Sequence, residues 1–166
     1  MTAADIAGED DANADLPSWH DNLIYGLRID PPDPDREDWQ SDLVFDIDYI
    51  VEWVCATDGG VTFRIAPATL VFHDVTDLSI AVDYGGGDYP QTLNELSIAS
   101  ITREPIRREG AAGALPYFRW TMALNLPTDG EIAFGASGYT QTLRAEPTLH
   151  DEQRLPAGDR PHLLAP

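Results

Sequence analysis

The sequence contains no lysine, one cysteine and no long hydrophobic run. Without lysine there is no phosphate-binding loop of the Gly-Lys-Ser/Thr type, no Schiff base and no lysine general base. The single cysteine, Cys55, excludes a disulfide framework within the chain. No stretch approaches the roughly 20 apolar residues of a membrane-spanning helix. The acidic N-terminus has no feature of a signal peptide, so we expect a cytoplasmic protein.

Positive charge is also scarce. The 166 residues have 29 Asp and Glu against 10 Arg, which gives a formal net charge of −19. Such a chain repels nucleic acid and anionic membranes, so we expect neither as a partner. A basic protein or a cation is the ligand class that this charge favours. A GC-rich genome or a high-salt cytoplasm would produce the same composition without any role in binding.

Residues 42–54 alternate between apolar and acidic side chains, and this pattern organises the rest of the chain. A period of two predicts a long central strand with one buried face. Six further segments alternate in a similar way, and their short connections cannot make parallel crossovers. We therefore predict an all-β fold, an antiparallel meander of about seven strands that forms a barrel or a two-sheet sandwich. No cofactor is expected.

Local signals add detail to this prediction. Residues 57–60 form a turn signal, so we expect the next strand to be the antiparallel hairpin partner of the central one. Pro67 lies in that partner and cannot donate to a ladder, which predicts a bulge or a free side there. Arg64 of the same strand could lie across from the acidic side of the central strand. Residues 131–144 predict one long last strand, with a bend or bulge suggested by Gly135 and Gly138.

The chain divides into three parts by composition. Residues 1–17 are small and acidic and predict a disordered N-terminal arm. Residues 18–145 carry the strands and form a single β domain. Residues 146–166 predict a C-terminal tail. Within the domain, a motif of an aromatic residue followed by His and Asp occurs twice, 53 residues apart, which suggests a duplicated three-strand unit with repeats at 19–71 and 72–144.

The two His-Asp pairs are the sharpest candidates for chemistry. Histidine and aspartate are both good metal ligands, so the pairs could hold a metal or flank the mouth of a ligand-binding barrel. Equally, each pair could begin a strand, with its side chains bonded to nearby backbone. The weak metal candidates are His20, Asp21, His73 and Asp74.

The acidic side of the central strand is the second candidate site. It could be a docking surface for a basic partner, or the solvated face of a half-buried sheet. The Pro-rich loop 31–41 before the strand adds further acids and Trp39, which could be exposed because it lies in a loop. We predict partner-binding residues at Asp42, Asp46, Asp48, Glu52, Asp35 and Trp39.

Trp19-His20-Asp21 followed by the strand at Leu43 to Asp48 resembles a pattern of small acidic bacterial β-sheet domains. Some of those domains are uncharacterised, and others resemble immunity proteins of polymorphic toxin systems. Phe72-His73-Asp74 carries the pattern again, more weakly, and together the resemblance covers about a third of the chain. It implies a stand-alone binding protein, with no catalytic motif to transfer.

Together these features favour a non-enzymatic domain that docks a basic partner, in the manner of an immunity-like inhibitor. The alternative is a small-ligand or metal-binding barrel with His20 and His73 near its mouth. The sequence leaves the oligomeric state open.

Overall fold

The computed structural model describes residues 11–108 and 116–161, and these form an all-β protein. Nine strands are connected by turns and by two 3₁₀ turns at Pro34–Arg36 and Ala157–Asp159. The predicted all-β, antiparallel class is therefore confirmed. The strands are β1 (Leu23–Asp30), β2 (Asp42–Cys55), β3 (Val61–His73), β4 (Thr76–Ala81), β5 (Leu96–Pro105), β6 (Phe118–Leu126), β7 (Glu131–Ala136), β8 (Gly138–Leu143) and β9 (Thr148–His150).

All nine strands belong to one antiparallel sheet in the order β4-β7-β6-β5-β1-β2-β3-β8, and β9 pairs with β3. In the described part of the chain β4 and β8 do not pair with each other, so the sheet is not closed and the predicted barrel is wrong. β1 and β5 pair only through Leu23 with Ser97 and Ile24 with Leu96. This short ladder joins a first half (β1, β2, β3, β8, β9) to a second half (β4, β5, β6, β7).

The two halves face each other across one hydrophobic core. Phe72 of β3 contacts Trp120 of β6 and Phe134 of β7, with ring centroids 4.9 and 4.7 Å apart. Phe45 of β2 completes the cluster, and all four side chains are fully buried. Because each strand has one apolar side, a single sheet can cover its apolar face only by folding over on itself. The arrangement is that of a sandwich made from one continuous sheet.

Two bends carry the chain from one half to the other. β3 turns into β4 at Asp74, whose φ is 54°, and β7 turns into β8 at Ser137. The bends lie side by side, since the Ser137 amide donates to the His73 carbonyl at 3.0 Å. The sequence predicted one long last strand with a bend near its glycines, and the structure places the break between β7 and β8.

Local turn and proline signals were predicted correctly. The turn at residues 57–60 makes β2 and β3 a hairpin, closed by the Ala56 amide donating to Gly60 at 2.8 Å. Pro67 was expected to cause a bulge or to have a free side in its strand. It lies where the outer neighbour of β3 changes from β9, paired at 63–65, to β8, paired at 68–73. The missing N–H therefore faces a gap in the sheet.

Both termini differ from the expectation. Of the predicted arm, residues 1–10 lie outside the described residues, but 11–17 fold against β5. There Arg103 donates from its backbone to Asn13 and from its side chain to Asp15, at 2.7 and 2.6 Å. At the other end β9 forms and Leu155 is buried. Up to residue 161 the C-terminal segment is thus part of the domain, while 162–166 lie outside the described residues.

The predicted repeat is seen only at the start of its units. Asp21 and Asp74 both have left-handed backbone, with φ of 63° and 54°, and each precedes a strand. The strand pairing does not continue the correspondence, because β1 pairs with β2 whereas β4 pairs with β7.

Candidate functional site

The acidic side of β2 is not a solvated face. Asp46 and Asp48 are 1% and 0% exposed, so the prediction that they bind a partner from an open surface is wrong. They lie on the side of β2 opposite the central core. There the C-terminal segment crosses the sheet and brings Leu155 against Ile50 and Ile65. The segment covers Asp48, whereas Asp46 accepts a hydrogen bond from the Thr69 hydroxyl of β3 at 3.1 Å.

Asp48 is neutralised by an arginine from this segment. Arg160 donates two hydrogen bonds to its carboxylate, from Nε at 3.1 Å and Nη2 at 2.5 Å. The Leu155 amide adds a third at 3.1 Å. Arg160 is 8% exposed in its side chain and also bonds Glu95 at 2.7 Å. A bidentate arginine of this kind suits a buried carboxylate, because the planar guanidinium satisfies both oxygens.

The same cluster shifts two pKa values in opposite ways. Burial alone would raise the pKa of Glu95, but hydrogen bonds from Arg160 and Arg154 outweigh it and lower the pKa to about 2. Burial raises the pKa of Tyr25 to about 12, and the charges of Asp46 and Asp48 add to the rise. The Arg160 guanidinium also lies over the Tyr25 ring, 4.6 Å from its centroid. At neutral pH Glu95 is therefore ionised and Tyr25 is neutral.

Sequence reasoning missed Glu95 and Arg160. A signal for them was present, since acids alternating along a strand as apolar as β2 need either water or a cation. Arg160 was the last of ten arginines and lay in a region interpreted as a tail. The local sequence gives no indication that this region packs against β2.

The other two members of the acidic side are partly exposed and already paired. Glu52 lies opposite Arg64 in the ladder and contacts it at 3.2 Å, as the sequence suggested for Arg64. Asp42 Oδ2 lies 3.2 Å from Nδ1 of His73, whose Nε2 lies 3.0 Å from the Thr140 hydroxyl. This chain of contacts crosses from β2 through β3 to β8. A hydroxyl, an imidazole and a carboxylate in this order can move a proton, and here they also fasten three strands together.

The predicted His-Asp pairs are not combined into one site. His20 contacts its neighbour Asp21 at 3.2 Å, whereas His73 contacts Asp42, and Asp74 is bonded to Arg108 at 3.1 Å. Among residues 11–108 and 116–161 no group of three or more His, Cys, Asp or Glu side chains is arranged to hold a metal ion. Each pair does precede a strand, but the Asp21 carboxylate accepts hydrogen bonds from the side chains of Asn125 and Gln153, and not from nearby backbone as expected.

Loop 31–41 is the acidic segment that does remain open to solvent. Asp35 is exposed, and Trp39 is 73% exposed, as the sequence had suggested. The backbone of the loop is nevertheless fixed. The Asp33 carbonyl accepts hydrogen bonds from the amides of Arg36 and Asp38 at 3.0 and 3.1 Å. The loop closes with Asp30 paired to Asp42, so both of its ends are held by strands.

Two further contacts shape the loop around the tryptophan. Glu37 has a left-handed φ of 58°, and the Asp38 carboxylate accepts the Gln40 amide at 3.0 Å. Of the acids in the loop, Asp33 is paired with Arg36 at 3.3 Å. Before the loop, Leu27 and Ile29 of β1 are 38% and 54% exposed. Within the described residues Asp35, Glu37 and Asp38 form no ion pair, so the region combines such carboxylates with exposed apolar side chains.

The chain has no significant match to a protein-family model, to a curated protein or to a solved structure. The class that the fold defines is thus a folded-over antiparallel sheet with a C-terminal segment on its outer face. No helix in the described part of the chain is long and apolar enough to cross a membrane.

Proposed function

We propose that this protein is a non-enzymatic protein-binding domain that docks a basic partner through loop 31–41. The observation that carries the proposal is Trp39, a large aromatic side chain 73% exposed at the end of a compact acidic loop. Tryptophan is among the residues most enriched at the energetic centres of interfaces. An exposed tryptophan on a loop makes few contacts within the fold, so its side chain is free to contact a partner.

The fixed backbone of the loop supports this role. Because the amides of Arg36 and Asp38 are already bonded to Asp33, the loop loses little conformational freedom when a partner binds. A preorganised surface loses less conformational entropy on binding, so more of its contact energy appears as affinity.

The charge of the whole chain supports a basic partner. A net charge of −19 attracts a basic protein over a distance of about one Debye length, roughly 8–10 Å at physiological salt. Such attraction raises the association rate and falls as salt increases. Asp35 and Glu37 would then pair with cations of the partner around the Trp39 contact.

An immunity-like role, in which the bound partner is a basic toxin and is blocked, is the form of this proposal that the sequence resemblance favours. In this role the protein would act in the cytoplasm, where it would meet the toxin. Asp46 and Asp48 have no part in it, since both are covered by the chain itself.

The test is capture of partners from a lysate of the native host by the immobilised protein at low and high salt, followed by mass spectrometry. We expect one basic protein that is retained at low salt, released at high salt and then shown to bind in purified form. Trp39→Ala should weaken that binding by about 2 kcal/mol or more, roughly 30-fold.

Trp53→Ala is the matched control. Trp53 is also exposed, at 49%, but it belongs to the β2–β3 hairpin and stacks on Phe63 with centroids 5.0 Å apart. Equal loss of binding in both variants, or no basic protein at low salt, would contradict the proposal.

A further inference from the structure

A groove of about 880 Å³ lies in the second half of the sheet, away from loop 31–41. It is formed by the chain between β4 and β5, residues 82–95, and by the turn between β6 and β7, residues 126–130. Sites that bind ligands or side chains of a partner commonly have volumes of this order, roughly 300–1,000 Å³. None of the residues discussed so far as partner-binding candidates lines it.

Segment 82–95 is long for a connection without regular structure. Fourteen residues separate β4 from β5, and loops of about this length in a small domain are usually functional or disordered. This one is ordered by its own contacts. The Tyr84 hydroxyl donates to the Asn94 carbonyl at 2.5 Å, which ties the two ends of the loop together. The Asp83 carboxylate accepts the Gly85 amide at 2.7 Å.

The charge in the groove is of one sign. Asp83 lines it from segment 82–95 and Asp129 from the turn 126–130, and no arginine or histidine of the described chain lines it. Both carboxylates are exposed, and neither takes part in an ion pair within the described residues. By contrast, Asp48 and Glu52 each form an ion pair with an arginine. Two carboxylates facing one groove without a cation leave a negative potential that a guanidinium or ammonium group would neutralise.

Apolar side chains also lie at the groove. Leu126 lines it and is 54% exposed, and Val82 and Pro127 line it as well. Tyr89 and Leu93 do not line the groove, but they belong to the same 82–95 segment and are 79% and 76% exposed. Exposed aromatic and aliphatic groups beside carboxylates are typical of interfaces that receive a chain of mixed character rather than a bare ion. A metal ion would gain nothing from these neighbours.

We propose that this groove binds an extended, arginine-bearing segment of a protein. The guanidinium lies between Asp83 and Asp129, and the neighbouring residues of the segment pack on Leu126. The planar guanidinium can donate to both walls at once, which a lysine ammonium does less well. The site is independent of the docking loop, and it stands whether or not Trp39 contacts a partner.

The test is a titration of the ¹⁵N-labelled full chain with a tetra-arginine peptide at about 0.15 M salt, where long-range attraction is screened. We expect saturable shifts of the Gly85, Gly86, Gly87 and Gly130 amides, which line the groove. A tetralysine peptide should bind at least threefold more weakly. Shifts confined to other surfaces would overturn the proposal.

A matched pair of double variants separates the groove from general charge. Asp83→Asn with Asp129→Asn should weaken peptide binding at least fivefold. Glu146→Gln with Asp151→Asn removes the same charge from exposed positions outside the groove and should leave the affinity unchanged. Equal weakening in both would overturn the site. All four replaced carboxylates are exposed, so both variants should stay folded, with spectral changes confined to the neighbourhood of each replaced residue.

Two further measurements identify the class of ligand and distinguish binding in the groove from binding at loop 31–41. If arginine amide alone binds as tightly as the peptide, the groove is a small-cation site and the protein-segment assignment fails. Trp39→Ala should bind the tetra-arginine peptide like the wild type. A loss of host-partner capture in that variant, with the groove intact, would concern the docking loop alone.

Discussion

Strand β2 and the loop before it are equally acidic, yet Asp48 of the strand and Asp35 of the loop lie in opposite environments. Asp48 is buried under the C-terminal segment and bonded to Arg160, whereas Asp35 stays in water five residues beyond the end of β1. A buried charge must have a partner or it destabilises the fold, while an exposed charge costs little. The same residue type therefore stabilises the fold in one segment and is free for recognition in the other.

The largest expected effect comes from breaking the buried pair. Asp48→Asn leaves the Arg160 guanidinium in a buried site without the opposing charge to which it makes two bonds. We expect a loss of about 3–5 kcal/mol in the free energy of unfolding, measured by urea titration. Asp35→Asn should change it by less than about 0.5 kcal/mol. Similar losses in the two variants would remove the distinction between the segments.

Acid should weaken the same cluster through Glu95. Its pKa is about 2 in the fold against an ordinary 4.5, so the fold favours the ionised carboxylate. This contribution is fully present above about pH 4.5 and is lost as the pH falls toward 2. The free energy of unfolding of the wild type should therefore fall in this window.

Glu95→Gln is the variant that tests this assignment. It should be less stable at pH 6, and the difference from the wild type should shrink as the pH falls from 4.5 to 2. A constant difference across that range would show that Glu95 does not carry the acid dependence.

Asp42 is intermediate in exposure between Asp48 and Asp35, so its replacement should have an intermediate effect on the free energy of unfolding. Its carboxylate is 33% exposed and contacts His73, which in turn contacts Thr140. Asp42→Ala should cost about 1 kcal/mol, the typical net value of one hydrogen bond. Thr140→Val, which leaves the Asp42 contact intact, should cost no more than this. Losses near those of Asp48→Asn would mean that Asp42 belongs with the buried cluster.

The smallest effect on stability is expected at the loop. Trp39→Ala removes a side chain that is 73% exposed, so thermal unfolding should be unchanged within about 0.5 kcal/mol. Binding of the basic partner should nevertheless be strongly weakened. A marked drop in stability would instead make Trp39 a structural residue and would weaken the docking proposal.

Local signals in the sequence predicted much of the fold. The alternation of β2, the turn at 57–60, the exposed Trp39 and the free side of Pro67 depend on residues near one another in the chain. The site was harder to predict, because Asp46 and Asp48 show the same alternation whether water or protein covers them. The burial of Asp48 depends on Leu155 and Arg160, more than 100 residues later.

The sequence by itself determined the class of structure, since a period of two and short connections permit only antiparallel strands. It also determined the strong negative charge and the acidic character of loop 31–41. Only the tertiary structure decided which carboxylates are available. The sheet folds over at Asp74 and Ser137, and the C-terminal segment then returns to cover β2. Burial is a property of what lies opposite a residue in space, and the identity of that neighbour is not encoded by the strand on which the residue lies.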